Sequence, residues 1–142
     1  VSCAEKCTSG IDYCYSGIKI SGKSLKSFIP KKISSRTEFL QSMPFPHPGL
    51  FAKKDLFYEI GFFNLNKKIT ADHEWVVRLI NADKNGIQIE QESVKFQLDG
   101  LSLSYRTPIE MFQTALVNKR GKFHAFVRML YGMVAVLKYK LL

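Results

Sequence analysis

The chain has 142 residues, the size of one domain, with a formal net charge of +9 and 46 % apolar residues. Its aromatic content, with eleven Phe, six Tyr and one Trp, excludes a disordered chain. The longest uninterrupted apolar run, Met129 to Leu137, is nine residues, well short of the roughly 20 that a membrane-spanning helix needs. The start, Val1-Ser2-Cys3-Ala4-Glu5-Lys6, has no apolar core of a signal peptide.

Charge is unevenly placed. Residues 119–142 carry Lys119, Arg120, Lys122, Arg128, Lys138 and Lys140 and no acidic residue, which is two thirds of the excess charge. A basic end points to an anionic partner, either phospholipid or nucleic acid. The cysteines, Cys3, Cys7 and Cys14, are odd in number and clustered, with no second Cys or His pair to complete a zinc site. Free thiols in a reducing cytoplasm are the expectation.

In chain order, residues 1–10 are polar and carry no pattern. Ile11 to Ile20, rich in Tyr and Ile, predicts a strand, with Gly17 and Ser21-Gly22 as interruptions. Residues 22–34 are basic and Ser-rich and predict a loop. Ser34 or Ser35 begins a short helix through Met43, with Glu38 closing a capping box. Pro44-Phe45-Pro46-His47-Pro48 forbids a regular helix, and Gly49 to Ala52 reads as a short extended piece. Lys53 to Ile60 predicts a helix stopped by Gly61, and Phe62 to Thr70 a loop.

Residues 72–83 give the clearest helix, with Trp75, Val76, Leu79 and Ile80 on one apolar face and Glu74 and Arg78 as an i, i+4 pair. Asn85-Gly86 follows it. Ile87 to Ile89 and Ser93 to Leu98 read as two strands, and Asp99-Gly100 as a turn. Pro108 opens a helix to about Asn118, and a last helix follows Gly121. Interspersed strands and helices indicate a mixed α/β class.

Three segments combine into one constellation. They are Met43-Pro44-Phe45-Pro46-His47-Pro48-Gly49-Leu50-Phe51; Ile60-Gly61-Phe62-Phe63 with Ala71-Asp72-His73-Glu74-Trp75-Val76-Val77-Arg78-Leu79; and Phe96-Gln97-Leu98-Asp99-Gly100-Leu101-Ser102. In order and spacing they resemble the second half of family 2, GT-A type glycosyltransferases of bacterial surface-polysaccharide pathways, over roughly residues 11–104. The resemblance implies that residues 1–106 are the acceptor-side part of such a domain. Residues 107–142 are then a helical, basic, amphipathic extension. It implies an inverting transfer of sugar from a nucleotide-sugar to a saccharide acceptor, free or lipid-linked, with Asp72 as general base. A carboxylate within hydrogen-bond reach can take the proton of the attacking hydroxyl, and a helix N-terminus attracts negative charge there. By the same resemblance His47, between two prolines, lies near the sugar or acceptor.

Glu74, about 200° around the helix from Asp72, is assigned to acceptor orientation or to the Arg78 pair. Trp75 is either a sugar-stacking ring or, at helical spacing with Leu79, a core residue. His73 and His124 read as helix-surface residues without a role.

The resemblance also implies a donor half with a nucleotide-binding loop and an Asp-x-Asp motif for Mg²⁺ or Mn²⁺. Neither occurs in this sequence, so no donor binding and no turnover are expected of the chain alone. A truncated gene, a fragment or a split protein would each account for this. Basic residues in 119–142 alternate with Phe123, Phe126, Val127, Leu130, Tyr131, Val134, Leu137 and Leu141, as in a helix lying in a membrane interface or a terminal helix packing on its own domain or on the missing half. The expected location is the cytoplasm, peripheral to the inner face of the membrane. The competing functional reading is a non-catalytic, basic, membrane-peripheral binding module. Nucleic-acid binding is the weakest, because no recognised module is present.

Overall fold

The computed structural model describes residues 10–21, 26–30, 43, 45–97, 104–118 and 121–141. It is a mixed α/β structure built around one strand, β1 (Tyr13–Ser21). Tyr13 through Ile18 are all buried, so β1 is covered on both faces along most of its length. β4 (Gly86–Gln97) runs parallel to it from Tyr13↔Gly86 to Ser21↔Gln97 and takes one whole edge. The other edge is shared end to end by two antiparallel partners. β3 (Leu50–Ala52) pairs with Tyr13 to Tyr15, and β2 (Lys26–Phe28) pairs with Ile18 to Ile20.

Two expectations change here. The stretch 22–34 contains the strand β2 and is not loop throughout. The two strands expected at 87–89 and 93–98 are one continuous strand. The polar residues between them are absorbed where the register slips, from Ser16↔Ile89 to Gly17↔Glu92 and then Ile18↔Val94. Extra residues in β4 bulge opposite Gly17, so an interruption of the apolar pattern does not end the strand. The helix expected from Ser34 or Ser35 to Met43 and the turn at Asp99-Gly100 lie outside the described residues, as do Cys3 and Cys7. Cys14 is buried and forms no disulfide.

Among the described residues four helices follow the expected order: α1 (Asp55–Ile60), α2 (Ala71–Asn81), α3 (Arg106–Val117) and α4 (Lys122–Leu141). Gly61 ends α1 at φ +85°, a conformation that favours glycine. The core joins Tyr13 and Tyr15 of β1 to Phe45, Leu56 of α1, and Trp75, Val76, Leu79 and Ile80 of α2. This is the apolar face that the helical spacing predicts.

α2 also buries a second strip, His73 and Val77. His73 is therefore not a surface residue, as expected, but a buried one. The strip lies on the side of α2 toward Thr70 and Asn81, which are bound by Glu110 and Asn118 at the two ends of α3. His124 is exposed on α4, as expected.

α3 and α4 form an antiparallel pair in which Phe112 and Phe126 meet edge to face at 6.2 Å. Gly132 lies against Pro108, and a Cβ at that position would fall 2.8 Å from the proline Cβ. The close approach of the two helices depends on that missing side chain. Among the described residues no helix is long and apolar enough to cross a membrane.

The exposed edge of α2 carries a clamp. Arg78 receives the Glu74 carboxylate through Nε at 3.0 Å and Nη2 at 3.1 Å. It also donates through Nη1 to the Ile60 carbonyl and through Nη2 to the Phe62 carbonyl at 2.7 Å. One guanidinium thus ties the end of α1 and the following aromatic loop to α2. We expect Arg78→Ala to destabilise the chain by roughly 1–3 kcal/mol, because two carbonyls and a carboxylate lose a charged donor. Urea unfolding followed by Trp75 fluorescence measures it; a change of under a few tenths would show that the clamp is dispensable.

Candidate functional site

Residues 45–50 form a rigid tongue over the β1 edge. Phe45 is fully buried and stacks on Tyr15 with ring centroids 4.6 Å apart. His47–Gly49 make a single 3₁₀ turn, closed by Gly49 N–H donating to the Pro46 carbonyl at 2.9 Å. Pro46 and Pro48 hold the backbone on either side of the histidine. Gly49 presses on β1 so closely that a Cβ would lie 2.5 Å from the Ser16 carbonyl oxygen, and the Ser16 hydroxyl donates to the Gly49 carbonyl at 3.3 Å. The tongue is pinned at both ends, and His47 projects between the pins.

Asp72 stands in the first turn of α2. Its Oδ1 accepts the backbone N–H of His73 at 2.7 Å. Its Oδ2 lies 3.6 Å from His47 Nδ1. That is ion-pair range when the imidazole is protonated but too long for a hydrogen bond. Both side chains keep solvent access, at 41 % and 32 % exposed. They line a cavity of about 510 Å³ together with Ile18, Met43, Phe45, Pro46, Pro48 and Phe96. Apolar walls with a carboxylate and an imidazole converging at one end can hold a polar ligand and move a proton to or from it.

The remaining expected site residues go elsewhere. Glu74 is held in the Arg78 pair. Trp75 is corrected from acceptor stacking to core: it is 1 % exposed and its Nε1–H donates to the Gly61 carbonyl at 2.9 Å. One face stacks on Phe57 at 4.7 Å and Phe63 meets it edge-on at 6.0 Å, so no ring face remains for a sugar. Phe45 and Phe96 line the cavity itself, and the half-exposed Phe63 lies outside that lining, 6.4 Å from His47 in an edge geometry. Phe62, Tyr58 and Leu65 extend this exposed apolar rim.

Sequence reasoning missed Glu110 altogether. This α3 residue is buried, and its carboxylate accepts the backbone N–H groups of Lys68, Ile69 and Thr70 at 3.1, 3.0 and 3.0 Å. The Thr70 hydroxyl donates to it as well, at 3.2 Å. These donors lie just ahead of α2, whose N-cap residue Thr70 makes no side-chain cap. Glu110 does the work of a cap from another helix and so fixes the turn that carries Asp72. Its one sequence signal is the single acidic residue of α3, which periodicity cannot distinguish from a surface charge. Among the described residues no group of three or more His, Cys, Asp or Glu is placed to hold a metal ion.

Burial pushes the Glu110 carboxyl up. The hydrogen bonds from Thr70, Ile69 and Lys68 favour its charged form and outweigh that, leaving it below the ordinary carboxylate value. Because the folded pKa is the lower one, this stabilisation is present above the unfolded-state value. It is lost as pH falls through that value toward the folded one. We expect Glu110→Ala to cost roughly 2–4 kcal/mol at neutral pH. Glu110→Gln should flatten the acid limb of the stability-against-pH curve below about pH 4.5. An acid limb identical to the parent's would remove Glu110 from this role.

No protein-family model, curated protein or solved structure matches this chain, and the meaning of the site rests on its own residues and geometry.

Proposed function

We propose that this chain is the acceptor-side part of an inverting, family 2 glycosyltransferase acting in cell-surface polysaccharide synthesis. The observation that supports it best is the meeting of His47 and Asp72, 25 positions apart in sequence, at one end of a ligand-sized cavity. Both residues belong to the segments that carry the resemblance.

In this reading the acceptor hydroxyl enters between the imidazole and the carboxylate. Asp72 Oδ2 takes its proton as the oxygen attacks the anomeric carbon of the donor sugar. The new C–O bond forms as the bond from that carbon to the diphosphate oxygen breaks. The electron pair leaves with the nucleoside diphosphate, and the configuration inverts. His47 orients the acceptor hydroxyl against Asp72. Phe63 offers the exposed ring on which a sugar face can rest, the part first considered for Trp75. Glu74 and Arg78 act at one remove, by holding the loop that carries Phe63.

The nucleotide-sugar and its Mg²⁺ or Mn²⁺ would be bound by a donor half that the resemblance places outside these 142 residues. The described residues offer the metal no cradle, so no step is assigned to it. The competing reading, a non-catalytic basic module, gives the His47–Asp72 pair no use.

The test is made in the enzyme joined to its donor half. Asp72→Asn should lower kcat by roughly 10²–10⁴-fold while the thermal transition stays close to the parent's. His47→Ala and Phe63→Ala should act mainly on KM for the acceptor. Trp75→Phe should change stability with little change in acceptor KM. Undiminished transfer by Asp72→Asn would sink the proposal.

A further inference from the structure

α4 has two apolar faces, and the fold uses only one. Ala125, Met129, Gly132 and Val136 fall on the side that packs toward α3. On a second side Phe123, Phe126, Leu130, Val134, Leu137 and Leu141 recur at steps of three and four residues, with Phe126 at the edge nearest α3, where it meets Phe112. They are between 44 and 81 % exposed, which is unusual for six large apolar side chains on one stripe. The stripe runs the length of a 20-residue helix, about 30 Å.

Charge decides what covers it. At 100° per residue, Lys122 flanks the stripe on one side and Lys138 on the other; both are exposed. From residue 111 to the end the sequence holds six Lys and Arg and no Asp or Glu. A second copy docked face to face would bring like charges together along both flanks. A surface of anionic headgroups over hydrocarbon matches the stripe and both flanks at once. α4 does not meet the length and apolarity of a spanning helix, so the fit is to a helix lying along the surface.

We propose that this face of α4 docks on an anionic lipid bilayer, with the helix axis parallel to the membrane plane and the α3-facing side directed away from it. Such docking would bring the chain to a surface where lipid-linked acceptors are found, but the inference does not rest on the glycosyltransferase reading. It stands on the exposure and the charge alone.

The experiment is co-sedimentation of the full chain with vesicles of phosphatidylcholine alone and of phosphatidylcholine mixed with phosphatidylglycerol. The chain should pellet with the anionic vesicles and be released as salt is raised. Leu130→Asp with Val134→Asp should weaken binding at least about tenfold. Lys122→Glu with Lys138→Glu should remove the preference for anionic lipid. Both pairs lie on exposed positions, and unchanged helicity by circular dichroism verifies the fold. The proposal is overturned if the parent chain stays in the supernatant, or if the aspartate pair binds equally well. It is also overturned if the parent is a dimer in solution that the aspartate pair dissociates, which would assign the face to a second copy.

Discussion

The Glu110 carboxylate accepts from a segment some forty residues earlier in the chain, and in doing so it joins the two parts of the structure. Three backbone N–H groups and a hydroxyl converge on it in a buried position. A charged acceptor there replaces the water that those donors would otherwise bind. The consequence spreads from this point. The approach to α2 is fixed, so Asp72 in the next turn has a fixed direction. α3 is held against α2. α4 packs on α3, and the orientation of its outer face follows.

The opposite wall of the site has a different origin. His47 owes its place to sterics: two prolines limit its backbone, Phe45 anchors one end of the tongue in the core, and Gly49 anchors the other against Ser16. Nothing larger than hydrogen fits at Gly49, so the tongue cannot lift without losing its contact with β1. The site is therefore the gap between an electrostatically held helix start and a sterically held turn. Neither wall rests on a flexible side chain, so the separation of the two groups is set by the backbone.

Local pattern carried much of the fold. α1, α2, α3 and α4 were all legible because each has a helical apolar period bounded by glycine, proline or polar residues. β1 was legible from its run of Tyr and Ile, and Asp72 and His47 from the ordered segments around them. What was not legible is long-range. β4 looked like two strands, because the slip opposite Gly17 belongs to the pairing and not to β4 itself. Trp75 was ambiguous because a ring at helical spacing can face either a core or a ligand. Only the packing of Phe57 and Phe63 on it resolves this.

The sequence by itself determined the class of the chain, its described helices and the basic character of its end, because these depend on residues close together or on totals. Tertiary structure alone decided that Asp72 and His47 share a cavity, that Trp75 is core while Phe63 borders the site, and that Glu110 supports α2. It also decided which face of α4 is left open. Each of these is a contact between residues far apart in the chain, and its energy exists only once the segments have met.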